Sequence, residues 1–244
     1  MQAAALEAIN AIGDAEGGRW LLARWPRMSP RMRAQAANLL LGREPWVLAV
    51  FDAIDAGTFV ITDLDQAQLR LLSKRREPAI QARYKAIASR VRASPRDEVI
   101  AAYRPALDLA GDVGRGREHF TRVCSQCHKV GDLGHALGPS LAAFKSRGRE
   151  AVMLNVLDPN REVNPLYVNY IAQLADGRSL TGMIADETAT SVTLRRGENA
   201  SDTVSRADLE ELVSTGQSIM PEGLEKQLDH QAMADLLAFL DALP

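Results

Sequence analysis

Up to about residue 110, apolar residues return every third or fourth position, and proline and glycine cut the stretches between them. That period predicts a run of short amphipathic helices. Leu6, Ile9 and Ile12 mark the first, closed by Gly13. Ser29 and Pro30 supply an N-cap and a first-turn proline for a helix that runs through Leu39 and Leu41 and stops at Gly42. Glu44 to Ile54, Asp63 to Leu72, Pro78 to Ile87 and Asp97 to Leu107 follow. Trp20, Trp25 and Trp46 all fall in this half, where packing between helices is their expected role. Its arginines read as a solvated face, and it holds no catalytic constellation.

The pattern changes at Gly111. Asp112 to Cys124 reads as a helix with Gly116 and Phe120 one turn apart on one face, and a glycine there permits close approach of a second helix. Glu150 to Leu157 is amphipathic. The period then falls to two over 167–174, 179–185 and 191–195, with shorter strand-like pieces at 203–205 and 209–213 and a hairpin turn at Asp176-Gly177. Helical spacing returns from Asp229 to Leu240, where Phe239 is expected to meet Gly116 and Phe120. The fold expected is mainly α: a helical domain over 1–110 and a second domain over 111–244, interrupted at about 165–214 by a small antiparallel β-insert. The short helices of the first domain resemble a HEAT-like repeat array, most visibly at Ser29–Leu41 and Glu77–Ile87; an irregular helical bundle is the alternative.

Charge narrows the function. The 244 residues carry a formal net charge of −2, which gives no electrostatic case for nucleic acid or an anionic membrane. No apolar run approaches the length of a membrane span. The stretch from Met1 to Glu7 lacks the basic region and apolar run of a secretory signal.

The only two cysteines stand in Cys124-Ser125-Gln126-Cys127-His128. On a helical turn, positions i, i+3 and i+4 share one face. Two thiols there can reach the two vinyl groups of one porphyrin, and His128 arrives beneath the iron as a neutral imidazole. This is the spacing of c-type haem attachment. Three other readings stand beside it. A thioredoxin-like redox pair normally opens a helix after a strand, and no such strand precedes Cys124. A structural zinc site needs four ligands, and the pentapeptide supplies three. A chance match in a surface helix is the third.

Gly111, Gly116, Phe120, the Cys124–His128 motif, Gly138-Pro139 and Leu141 together resemble the N-terminal half of a class I c-type cytochrome. The resemblance implies one covalently attached haem c with its iron, a glycine-phenylalanine helix crossing the C-terminal helix, and a Pro139 carbonyl that accepts from the proximal histidine. It also implies that Arg147 lies near a haem propionate. Candidates for the second axial ligand are His135, Met153, Met183, Met220, His230 and Met233. Met220 stands in the irregular stretch Ser218–Leu224 before the last helix, where Pro221 excludes helix at Met220; class I cytochromes present their axial thioether at such a place. The expected site is therefore Cys124, Cys127, His128, Met220, Pro139 and Arg147, with His128 and Met220 on the metal. With the β-insert included, 111–244 resembles the Planctomycete–Verrucomicrobium-type haem-binding domain, which helical repeats commonly precede.

The function expected is electron carriage, not enzymatic turnover. The resemblance implies a place in a larger redox protein, with a dehydrogenase domain or another redox protein as donor or acceptor. Because c-type haem is attached outside the cytoplasmic membrane, a periplasmic location is expected, with the export signal on a longer parent chain. Two other classes stay open: a haem-based gas or redox sensor or peroxidase with a displaceable Met220, and a scaffold in which the helical array binds a partner.

Overall fold

The computed structural model describes residues 2–91, 95–141 and 147–243. Among them are the helices α1 (Gln2–Ile12), α2 (Ala15–Arg24), α3 (Pro30–Leu40), α4 (Glu44–Asp55), α5 (Gln66–Ser73), α6 (Pro78–Val91), α7 (Asp97–Tyr103), α8 (Val113–Val123), α9 (Arg149–Leu157) and α10 (His230–Asp241). The strands are β1 (Val168–Leu174), β2 (Ser179–Glu187), β3 (Ser191–Arg195), β4 (Ser201–Ser205) and β5 (Leu209–Ser218). Local chemistry sets several boundaries. Ser29 caps α3 through Met32 N–H, and Pro30 follows in its first turn. Helix α5 starts later than its apolar period suggests, because Asp65 and Gln68 form a reciprocal capping box.

Asp63 is thereby left outside the helix and turns inward. It accepts from Trp25 Nε1 at 2.6 Å and from Arg33 Nη1 at 3.0 Å, and both partners of this ion pair are almost fully covered. Burial pushes the Asp63 carboxyl up, and Arg33 and Trp25 only partly offset it. Arg33 thus departs from the solvated role read for the arginines. Trp20 departs from the packing role: it is 44% exposed, with the Arg24 guanidinium 3.7 Å from its ring centroid. Trp25 and Trp46 are fully buried.

The chain forms two compact units. The first comprises Met1–Ala93, Val163–Ile184 and Ser205–Gln217. Its core is built around Leu21, Trp25, Leu40, Trp46, Phe51 and Phe59. Helix α1 packs on α3, α2 on α4, and α4 on α6. Tyr170 of β1 belongs to this unit, buried, with its hydroxyl donating to Met28 O at 3.2 Å and Arg33 over its ring. The strands form one antiparallel sheet in the order β4-β3-β2-β1-β5, with Tyr170 opposite Gly182 and Gln173 opposite Ser179. The Asp176-Gly177 turn forms as its sequence predicts: Gly177 has φ +84° and Leu174 N–H donates to Arg178 O.

The second unit comprises Ser94–Glu162, Ala185–Val204 and Ser218–Pro244. Strands β1 and β5 group with the helices, the β3–β4 hairpin groups with the second unit, and α7 belongs to that unit although it precedes Gly111. The second core gathers Phe120, Met153, Leu157, Met233, Leu236, Leu237 and Phe239 from α8, α9 and α10. The pairing of α8 with α10 is its backbone. A Cβ at Gly116 would overlap the Asp235 carbonyl oxygen and lie 2.7 Å from Phe239 Cβ, so only glycine lets the two helices approach this closely. Phe120 and Phe239 meet beside it, centroids 5.4 Å apart and rings tilted at 42°.

Candidate haem site

Helix α8 delivers the Cys124–His128 motif. Its Asp112 N-cap accepts from Arg115 N–H at 2.8 Å, and the helix ends where Cys124 and Ser125 N–H both donate to Phe120 O. One further turn follows. Cys127 N–H and His128 N–H donate to Cys124 O at 3.1 and 2.9 Å, which sets Cys124, Cys127 and His128 on one face. The next loop folds back on this turn: Leu137 and Gly138 N–H donate to Cys127 O, and His135 N–H donates to Ser125 O.

That return brings Pro139 O to 3.0 Å from His128 Nδ1. A carbonyl only accepts, so Nδ1 carries the proton and Nε2 keeps its lone pair. Gly138 makes the approach possible, since a Cβ there would lie 2.5 Å from His128 Cε1. Burial lowers the His128 pKa, with the Pro139 carbonyl pulling the other way, so the ring is held neutral. Burial also pushes the Cys124 thiol up to about 12 and raises that of Cys127.

These properties bear on the competing readings of the motif. A redox dithiol uses a low-pKa thiolate at the start of a helix. Here the pair follows the C-terminal end of α8, where the helix dipole disfavours negative charge, and burial holds both groups as thiols. Among the described residues no three His, Cys, Asp or Glu side chains are arranged to hold a metal ion, which disfavours structural zinc.

The candidates for the second axial position separate by environment. Met153 and Met233 are fully buried core residues, and Met183 is buried in β2, in the first unit. His135 Nδ1 lies 3.1 Å from Asn199 Nδ2, and His230 packs edge-on against Tyr103. Met220 is half-buried in the irregular loop after β5 and borders the second core, as do Cys124, Val130, Leu133 and Leu141. Its N–H donates to Ser218 Oγ at 3.1 Å. Arg147 is 46% exposed and pairs with Glu162 at 3.1 Å; residues 142–146, just before it, lie outside the described residues. Two thiols and a neutral imidazole whose Nδ1 is held by Pro139 and whose Nε2 lone pair is left for a metal are the groups that a covalently attached haem requires on one turn.

Two groups of the second unit escaped the sequence reading. Asp235 of α10 is 1% exposed and accepts from Asp112 N–H at 2.7 Å, from Arg115 Nε at 2.7 Å and from Gln231 Nε2 at 2.9 Å. A carboxylate on the apolar stripe of Ala232, Leu236 and Phe239 was the available signal. The tip of the β3–β4 hairpin is the other. Glu198 and Asn199 sit in the left-handed region, φ 58° and 59°, and Glu198 N–H donates to Gln126 O inside the motif.

The fold and the donor set define a haem-attaching protein built on a helix crossing. Comparison with known proteins gives the family. The family model described as Cytochrome c matches residues 113–244, more than half of the chain, and the chain belongs to the cytochrome c family. No curated protein matches it. Its cofactor is covalently bound haem c with its iron, and it is a haem-binding electron-transfer module that works with redox partners. Among the described residues no helix is long and apolar enough to cross a membrane.

Proposed function

We propose that the chain carries one haem, bonded through Cys124 and Cys127, with His128 and Met220 as axial ligands, and passes single electrons without substrate turnover of its own. The observation that carries this reading is the His128 Nδ1 to Pro139 O hydrogen bond at 3.0 Å, made at the end of the turn that aligns Cys124, Cys127 and His128. When bound, haem c supplies a one-electron ferric/ferrous couple. Pro139 fixes the His128 tautomer and makes Nε2 the more basic donor. Met220 offers a soft thioether, which favours the reduced state and raises the potential. Arg147 engages a propionate: its ion pair with Glu162 is exposed, and such pairs are weak enough for another carboxylate to compete.

The haem-binding part corresponds to 111–244, of the Planctomycete–Verrucomicrobium type, and the first helices form a HEAT-like array. Stacking of α1 on α3, α2 on α4 and α4 on α6 supports the array reading, since repeat proteins stack equivalent helices of successive pairs. We place the module outside the cytoplasmic membrane, as part of a larger redox protein such as a dehydrogenase that supplies or receives its electrons. The second reading is a gas or peroxide sensor in which Met220 leaves the iron; the irregular, half-buried loop of Met220 favours it. Carbon monoxide separates the two. A reduced low-spin spectrum that carbon monoxide leaves unchanged supports electron transfer, and rapid binding refutes it in favour of the sensor.

A further inference from the structure

The family match begins at residue 113, yet α7 lies before it and belongs to the same compact unit. Its side chains converge on the segment that follows Met220. Tyr103 Oη is 2.6 Å from Leu228 O and 2.9 Å from Glu225 O, so one hydroxyl spans both carbonyls of the turn leading into α10. Arg96, just ahead of α7, pairs with Glu225 at 2.6 Å, with both side chains mostly covered, and also donates to Leu157 O at the end of α9. From the turn after α9, Asn160 takes hold of the other end: its Oδ1 accepts from Ser218 N–H at 2.8 Å, and its Nδ2 donates to Glu222 Oε1 at 2.6 Å. These two contacts sit symmetrically two residues before and two residues after Met220. Arg161 links the two anchors by bonding both Asp158 and Asp97.

We infer that α7 and the turn after α9 form a clamp on the Met220 loop, with Tyr103, Arg96 and Asn160 as positioning residues that keep the thioether at the iron. The inference rests on Met220 being the axial ligand and adds what holds it there. A loop of irregular backbone has few internal hydrogen bonds, so its position is set by such outside contacts. The bonds lie at 218, 222, 225 and 228, and none of them uses the Met220 side chain, whose backbone N–H is in turn held by Ser218 Oγ.

The test uses the ferric holoprotein and added imidazole, which binds iron only where methionine has left it. Tyr103→Phe keeps the ring against His230 and removes the hydroxyl; Asn160→Ala removes both flanking bonds. Each is expected to raise the apparent imidazole affinity roughly three- to tenfold, the worth of about one hydrogen bond. Each is also expected to lower the temperature at which the methionine-to-iron charge-transfer band disappears, with haem still attached. Asp241→Asn, which cuts the Arg149–Asp241 pair at the far end of α10, controls for general loosening and is expected to leave the affinity unchanged. Wild-type imidazole affinity in both clamp variants refutes the clamp, as does an equal shift in Asp241→Asn. Imidazole binding to the wild type as tight as to Met220→Ala refutes the ligand assignment, and the clamp with it.

Discussion

Asp235 is the most exacting point at which to test how the α8–α10 crossing is held. Its carboxylate is 1% exposed and receives Asp112 N–H, two nitrogens of Arg115 and Gln231 Nε2. Hydrogen bonding to Arg115, joined by the Asp112 and Gln231 bonds, holds its pKa down to about 2 from an ordinary 3.8. That depression corresponds to a ceiling of about 2.4 kcal/mol at 1.36 kcal/mol per tenfold. The Arg115 side chain is 55% exposed, however, and solvent screening brings the contribution to roughly 1–2 kcal/mol. The group is depressed in the folded state, so its stabilisation is fully present above the unfolded pKa of 3.8 and is lost as pH falls toward about 2. In Asp235→Asn the charge is gone and one amide N–H₂ faces other donors, so a loss of about 2–3 kcal/mol is expected at pH 7. Guanidinium unfolding of the holoprotein, followed by far-UV circular dichroism and by haem absorbance, measures both quantities. The gap between wild type and variant is expected to narrow by roughly 0.7–1.3 kcal/mol between pH 6 and pH 2.5, about two thirds of the contribution, because a folded pKa of about 2 keeps the rest in place at pH 2.5. A gap that stays constant over that range, or is below about 0.5 kcal/mol at neutral pH, refutes the role given to this carboxylate.

Two further outcomes follow from packing. Gly116→Ala inserts a methyl group 2.7 Å from Phe239 Cβ and onto the Asp235 carbonyl, and is expected to destabilise by about 1–3 kcal/mol and to lower the yield of haem-loaded protein; an unchanged denaturation midpoint contradicts the close crossing. In the first unit, Arg33→Ala leaves the buried Asp63 without its cation and is expected to cost about 3–5 kcal/mol, whereas the Arg33→Met/Asp63→Asn pair is expected to recover much of that; equal losses in both proteins sink the ion-pair account.

What could be read from the sequence was whatever depends on short spacing. Cys124, Cys127 and His128 declare themselves by i, i+3, i+4 positions, and Gly116, Phe120 and Phe239 by placing a glycine and aromatics at helical spacing in two separate helices. The Gly138-Pro139 pair was visible through resemblance, and the structure supplies its reason: a backbone pressed against an imidazole. What stayed hidden depends on pairings distant in sequence. Asp235 meets Asp112 across two helices, Asn160 meets Ser218 across the whole sheet, and Tyr103 meets Leu228 from outside the family match. The period of two marked 167–174 as a strand but did not tell that Tyr170 would pack beside Met28 and Arg33. Asp63 looked like a helix start because acids favour that place, and a capping box two residues later won.

The ferric absorption spectrum of wild type beside Met220→Ala tests the central claim most directly. With His128 and Met220 on the iron, the wild type shows the methionine-to-iron charge-transfer band, and Met220→Ala loses it while the haem stays covalently attached through Cys124 and Cys127. A band that survives in Met220→Ala, or a wild type that never shows it, contradicts the His128/Met220 assignment.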